Sequence, residues 1–111
     1  MKLVGRVQRS QLRDGALVRL PYPPFDVLVA EVDGRPHAIE DACNHAGDSL
    51  AEGTLKGACV SCPMHGYLFD LTTGKLVQPR GLCADQRTYV TEIQGDDVLV
   101  WDVAEVDILL K

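Results

Sequence analysis

The sequence predicts an all-β protein built as an antiparallel β-sandwich or barrel-like sheet. Three observations predict it. Short apolar or alternating segments recur along the chain, turn residues bound each of them, and no long stretch keeps a helical period. At 111 residues the chain can bury one modest core and has no room for a second, so residues 1–111 are expected to form a single domain.

The elements follow in order. Leu3, Val4 and Val7 mark a first strand over residues 3–7, and at most a short helical turn is expected, near residues 10–14 or around residues 50–52. Strands are then expected over residues 16–20, 27–32 and 37–40. Asp33-Gly34 joins the last two as a hairpin, because Asp-Gly accepts the positive φ angles of a tight turn. Further strands are expected over 58–60, 67–70, 88–93 and 98–102. Thr72-Thr73-Gly74 and Gly95-Asp96-Asp97 read as turns. The apolar tail Val106-Asp107-Ile108-Leu109-Leu110 is expected to pack back onto the sheet, with a partner contact as the lesser reading.

Composition excludes several classes of function. No run of about 18 apolar residues is present to span a bilayer. Lys2, Arg6, Arg9, Arg13 and Arg19 give the first twenty residues a basic bias, but Pro21, Pro23 and Pro24 arrive before any apolar targeting core. A cytoplasmic, untargeted chain is the expectation. The formal net charge is −5, and fifteen of the sixteen acidic residues but only six of the eleven basic ones follow residue 20. With aromatics at 5%, that sign of charge argues against nucleic-acid binding. Glu40, Asp41, Asp48 and Glu52 flank the first cysteine-histidine pair and are expected to steer the chain toward basic surfaces of its partners.

The chemistry is concentrated in Cys43-Asn44-His45 and Cys62-Pro63-Met64-His65, with sixteen residues between the two motifs. Four cysteines in a cytoplasmic chain point to metal before disulfides. Cys59 and Cys83 are read as buried free thiols, with a bridge between them as the alternative. Two thiolates and two imidazoles also make a zinc set, but structural zinc sites pair like ligands in C-x2–4-C and H-x3–5-H units. Here each loop mixes one Cys with one His. That mixture suits a [2Fe–2S] cluster with both cysteines on one iron and both histidines on the other, zinc remaining the lesser reading.

The pattern C-x-H-x16-C-x-x-H, with Asn44, Ala46-Gly47, Pro63 and Gly66 around it, resembles the Rieske family. The resemblance implies one [2Fe–2S] cluster held by Cys43, His45, Cys62 and His65, in a small β-lobe over about residues 42–83 inserted into a larger sheet. It places Gly47 and Gly66 where backbone N–H groups approach the sulfides, and Pro63 where it stiffens the second loop. High-potential members carry an extra cysteine in each loop, and here those positions are Asp48 and Met64. They also place a Ser and a Tyr where this chain has Tyr67 and Phe69. Fewer hydrogen bonds to sulfur imply a low potential.

Asp33-Gly34, Ile39-Glu40-Asp41 before Cys43, Gly66-Tyr67-Leu68-Phe69-Asp70 and Thr73-Gly74-Lys75 together resemble the ferredoxin component of bacterial aromatic-ring dioxygenase systems. That resemblance implies a carrier, monomeric in isolation. It moves single electrons from a flavoprotein, NADH-dependent ferredoxin reductase to a terminal oxygenase, and has no catalytic site of its own. Gln78-Pro79-Arg80-Gly81-Leu82-Cys83 departs from the family's proline-rich cover by holding one proline. An oxygenase subunit would need a further iron on two His and a carboxylate, whereas only His37 is left over and reads as an ordinary strand residue. The competing reading is the small Rieske-like subunit of an assimilatory NAD(P)H-dependent nitrite reductase. Retention of all four ligands favours the ferredoxin.

Overall fold

The computed structural model describes residues 2–23, 26–42, 49–63, 66–78 and 85–103. Among these, alternation and turn chemistry build ten strands: β1 (Lys2–Gln8), β2 (Val18–Leu20), β3 (Val27–Val32), β4 (Arg35–Glu40), β5 (Thr54–Lys56), β6 (Cys59–Ser61), β7 (Leu68–Asp70), β8 (Leu76–Gln78), β9 (Thr88–Gln94) and β10 (Asp97–Asp102). They form two antiparallel sheets, a six-stranded one in the order β1-β10-β9-β4-β3-β2 and a four-stranded one in the order β5-β6-β7-β8. The expected all-β antiparallel class is what the chain adopts.

Asp33 and Gly34 both take positive φ, 52° and 78°, so β3 and β4 pair directly from Val32↔Arg35. That tight closure starts β4 two residues before the expected strand. The reverse happens at β2: Ala16 still donates to the Arg13 carbonyl at 3.2 Å, and pairing begins only at Val18. Both places where at most a short helical turn is expected form one, as the 3-10 segments Arg9–Gly15 and Leu50–Glu52. Strands β5 and β8 were not expected. Three residues are too few for a period of two to register, and Thr-Leu-Lys and Leu-Val-Gln carry no other strand signal.

Two apolar clusters lie on opposite faces of β3 and β4. Leu28, Ala30 and Ile39 pack toward the small sheet, against Leu50, Val60 and Phe69. Val27, Val29 and Ala38 pack inside the curled large sheet, against Leu12, Val98 and Val100. Burial on both faces is why the first four residues of β3, Val27 to Ala30, read as an unbroken apolar run instead of an alternating one. Each fully buried Leu, Val or Phe removes enough apolar surface from water to contribute about 1.5–3 kcal/mol.

Polar stitching closes the large sheet. Asp102, 2% exposed, accepts from the Tyr22 hydroxyl at 2.6 Å and pairs with Arg87. Arg87 also lies over the Tyr89 ring, 5.2 Å from its centroid, and Tyr22 meets Tyr89 edge-on at 6.3 Å. The buried carboxylate is thus paired and hydrogen-bonded, as a charge removed from water requires.

Candidate metal centre

Both cysteine-histidine loops grow from stems that the structure describes. The first leaves β4 through Asp41 and Ala42 and returns at Ser49, with Ala42↔Ser49 forming an isolated antiparallel bridge. Asp41 clamps this stem. Its carboxylate accepts from the Ser49 hydroxyl at 2.6 Å and the Ala51 N–H at 2.8 Å, and its carbonyl accepts from the Leu50 N–H at 2.8 Å. Asp41 is 3% exposed. It therefore does not belong to the acidic steering surface expected from its charge, since its carboxylate serves the backbone of the loop. Glu40 is half-buried and Glu52 exposed, while Asp48 lies outside the described residues.

The second loop caps the β6–β7 hairpin. The Cys62 N–H donates to the Tyr67 carbonyl at 2.8 Å, and the Gly66 N–H returns to the Cys62 carbonyl at 3.0 Å with Gly66 at φ 70°. Cys62 is 2% exposed and belongs to the same apolar cluster as Leu50, which follows the first loop. Gly53 explains how the two stems come so close. A Cβ there would lie 1.8 Å from the Ser61 carbonyl oxygen and 3.2 Å from that of Leu50, so only glycine lets the first loop's return strand touch the residue preceding Cys62.

Of the four expected ligands, Cys62 is described, whereas Cys43, His45 and His65 lie outside the described residues, as do Gly47 and Met64. The structure places the stems of both loops at one end of the small sheet. A buried thiol at the root of a closed hairpin tip, facing a stem that leads to a second Cys/His pair, is a donor arrangement that fits an iron–sulfur cluster.

The other singled-out residues separate from this site. Cys59 is half-buried on β6, across from Asp70, and burial, reinforced by that carboxylate, pushes its thiol up. It is a free cysteine; Cys83 lies outside the described residues, and so does the tail at Val106–Leu110. His37 is half-buried on β4, opposite Ala30. Phe69 is fully buried and Tyr67 packs against the same cluster. The Asp70 carboxyl is held below the usual range chiefly by the Thr72 hydroxyl at 2.6 Å, against a smaller opposing effect of burial and with help from the Thr72 and Thr73 N–H groups.

Two residues that position the stems carry no sequence signal of their role. Gln86, 3% exposed, donates through its side-chain amide to the carbonyls of Glu40 and Ala42 at 2.7 and 2.8 Å. Gly53 is the other.

Residues 4–90 match the Rieske [2Fe-2S] domain. The chain belongs to the Rieske family. Its cofactor is accordingly a Rieske-type [2Fe–2S] cluster. This Rieske chain is 36% identical over 90% of its length, and 92% of the relative's, to the ferredoxin component of biphenyl 2,3-dioxygenase from Rhodococcus jostii. Among solved structures it is similar to the ferredoxin of carbazole 1,9a-dioxygenase from Nocardioides aromaticivorans, with a TM-score of 0.80, 25% identity, and coverage of 91% of this chain and 98% of that one. It is also similar to a chain in the complex of reduced oxygenase and oxidized ferredoxin in carbazole 1,9a-dioxygenase, with a TM-score of 0.78, 27% identity and 91% coverage of each chain. A chain assigned as the small subunit of an NADPH nitrite reductase shares the fold alone, at 17% identity with a TM-score of 0.73 over 92% of this Rieske chain and all of the other. These relatives include electron-transfer components of dioxygenase systems, not their catalysts. Among the described residues no helix is long and apolar enough to cross a membrane.

Proposed function

We propose that Cys43, His45, Cys62 and His65 hold the cluster, and that the Rieske chain is a low-potential ferredoxin. It takes single electrons from a flavin-containing, NADH-dependent reductase and delivers them to a terminal ring-hydroxylating oxygenase. The chain acts in the cytoplasm as one domain, monomeric in isolation, with a cluster-binding lobe over about residues 42–83. The observation that carries the reading is the convergence of the two loop stems at Gly53, with Cys62 at the root of one of them.

Cys43, His45, Cys62 and His65 would hold the cluster, which would supply a reversible one-electron couple, the neutral imidazoles raising its potential above that of an all-cysteine cluster. The chain's own residues do the rest. Leu50, Val60 and Phe69, each fully buried, pack in one cluster with Cys62 and keep water from that side of the ligand. Asp41 fixes the exit and return of the first loop. Phe69 has no hydroxyl to donate and is buried, which supports a potential toward the low end of the range of about −150 to about +300 mV. A thiolate must be deprotonated and an imidazole neutral to bind metal, so strong acid releases the cluster.

The nitrite-reductase reading has only a shared fold behind it, whereas 36% identity over 90% of the chain supports the ferredoxin. The test is direct. Purified chain is analysed for iron and acid-labile sulfide, titrated for its midpoint, and mixed with a flavoprotein reductase and a ring-hydroxylating oxygenase. Roughly two irons and two sulfides, a midpoint below zero and NADH-dependent reduction support the proposal. Zinc in place of iron, or stable assembly with a sirohaem flavoprotein in place of shuttling, overturns it.

A further inference from the structure

We propose that Gln86 is a positioning residue for the cluster, holding the first ligand loop in place relative to the sheet that carries the second. Gln86 lies between the two sheets, just before β9. Its side-chain amide donates to the carbonyls of Glu40 and Ala42, at 2.7 and 2.8 Å. Ala42 directly precedes Cys43 and is paired with Ser49, so the amide anchors the stem of the first loop that Asp41 also clamps. The Gln86 N–H meanwhile donates to the Gly74 carbonyl at 2.7 Å, and Gly74 in turn donates to Asp70 at the end of β7. β7 is the strand onto which the second loop descends.

One residue therefore bonds the base of the first loop with its side chain and the small sheet with its backbone. Its neighbours reinforce the seam. The Asp85 carboxylate accepts from the Leu76 N–H at 2.9 Å on β8, and the Arg87 carbonyl accepts from the Glu40 N–H at 2.7 Å. Gly74 permits the close approach: it sits at φ 76°, and a Cβ there would lie 2.2 Å from the Gln86 carbonyl oxygen.

The chemistry makes the amide specific. Two carbonyl oxygens facing one group need a donor with two hydrogens, which a primary amide has and a carboxylate or alkyl chain lacks. Losing it leaves two acceptors short of a partner beside a ligand, and the loop relaxes toward whatever re-satisfies them. Ligand orientation tunes a metal centre, so the effect extends to the electronic structure of the cluster and not only to stability.

This inference rests on the ligand assignment proposed above, and the experiment separates the two. Wild-type protein and Gln86→Met, which keeps the length and removes both donors, are purified with their clusters. Cluster loss to a chelator, the EPR g values of the reduced state, the midpoint potential and the thermal unfolding of each are recorded. Gln86→Met should lose its cluster about tenfold faster, with displaced g values and a displaced midpoint. Unchanged spectra and potential overturn the proposal, even where unfolding occurs at a lower temperature, because that pattern belongs to a purely structural residue. Should Gln86→Met not fold, Gln86→Asn keeps the amide but shortens its reach, and the same displacement or its absence decides the question. Wild-type protein without iron and sulfide would instead refute the ligand assignment itself.

Discussion

The two sheets of this Rieske chain are held together by apolar burial and directed bonds in different proportions. In the large sheet, β1, β3, β4, β9 and β10 run six or seven residues each, and their inner faces fill a cluster containing Leu12, Val27, Val29, Val98 and Val100. The four strands of the small sheet are three residues each; they share the apolar cluster of Leu28, Ile39, Val60 and Phe69 with β3 and β4, and their turns and stems are tied by single polar groups: Asp41, Asp70, Asp85 and Gln86. The scaffold is stabilised by area, which tolerates small errors. The small sheet adds directed bonds to its share of apolar burial, and those do not. Loss of a scaffold side chain should cost stability alone, whereas loss of a lobe contact should also reach the cluster.

The largest effect tests both halves at once. Phe69→Ala empties the centre of the lobe and should cost about 4 kcal/mol, with cluster content falling in parallel. Leu12→Ala, on the other face, should cost about 3 kcal/mol in denaturant unfolding and leave the midpoint potential where it was. A potential that moves with Leu12→Ala breaks the distinction. Next, Gly53→Ala forces a methyl into the Ser61 carbonyl and should cost about 3 kcal/mol, with iron content per chain lowered.

Asp41→Ala removes the acceptor for both Ser49 and Ala51 and should destabilise by about 2 kcal/mol. Because Asp41 is buried, the salt dependence of electron transfer to a partner should stay the same, while Glu52→Gln, at an exposed position, should flatten it. The smallest effect is pH-dependent. The Asp70 carboxyl is lowered in the folded state, so its contribution is complete above the ordinary carboxylate range of about 4 and is lost as pH falls through the lowered value. The difference in unfolding temperature between wild type and Asp70→Asn should therefore shrink as pH drops below about 4, in protein kept free of cluster so that acid release does not intervene.

The same contrast decides what could be read from the residues. The scaffold was legible because long strands repeat their pattern and Asp33-Gly34 announces its own turn. The cysteine-histidine pairs stand out in the residues because metal binding calls for those side chains at that spacing, and the family match over residues 4–90 agrees with the cofactor they suggest. β5 and β8 were too short to register a period. Asp41 was misread because a carboxylate in a run of acids looks solvated; the only hint of its clamp was Ser49, eight residues on, across the first loop. Gln86 and Gly53 gave no hint, since their meaning lies in carbonyls distant in the chain, at Ala42 and Ser61.

The most direct test of the central claim is pulsed EPR on the dithionite-reduced protein, read for nuclear couplings from directly bound nitrogen. Two strongly coupled imidazole nitrogens, one of them lost in His45→Cys and the other in His65→Cys, are the predicted result. A colourless protein, or a reduced cluster whose spectrum carries no bound nitrogen, would contradict it.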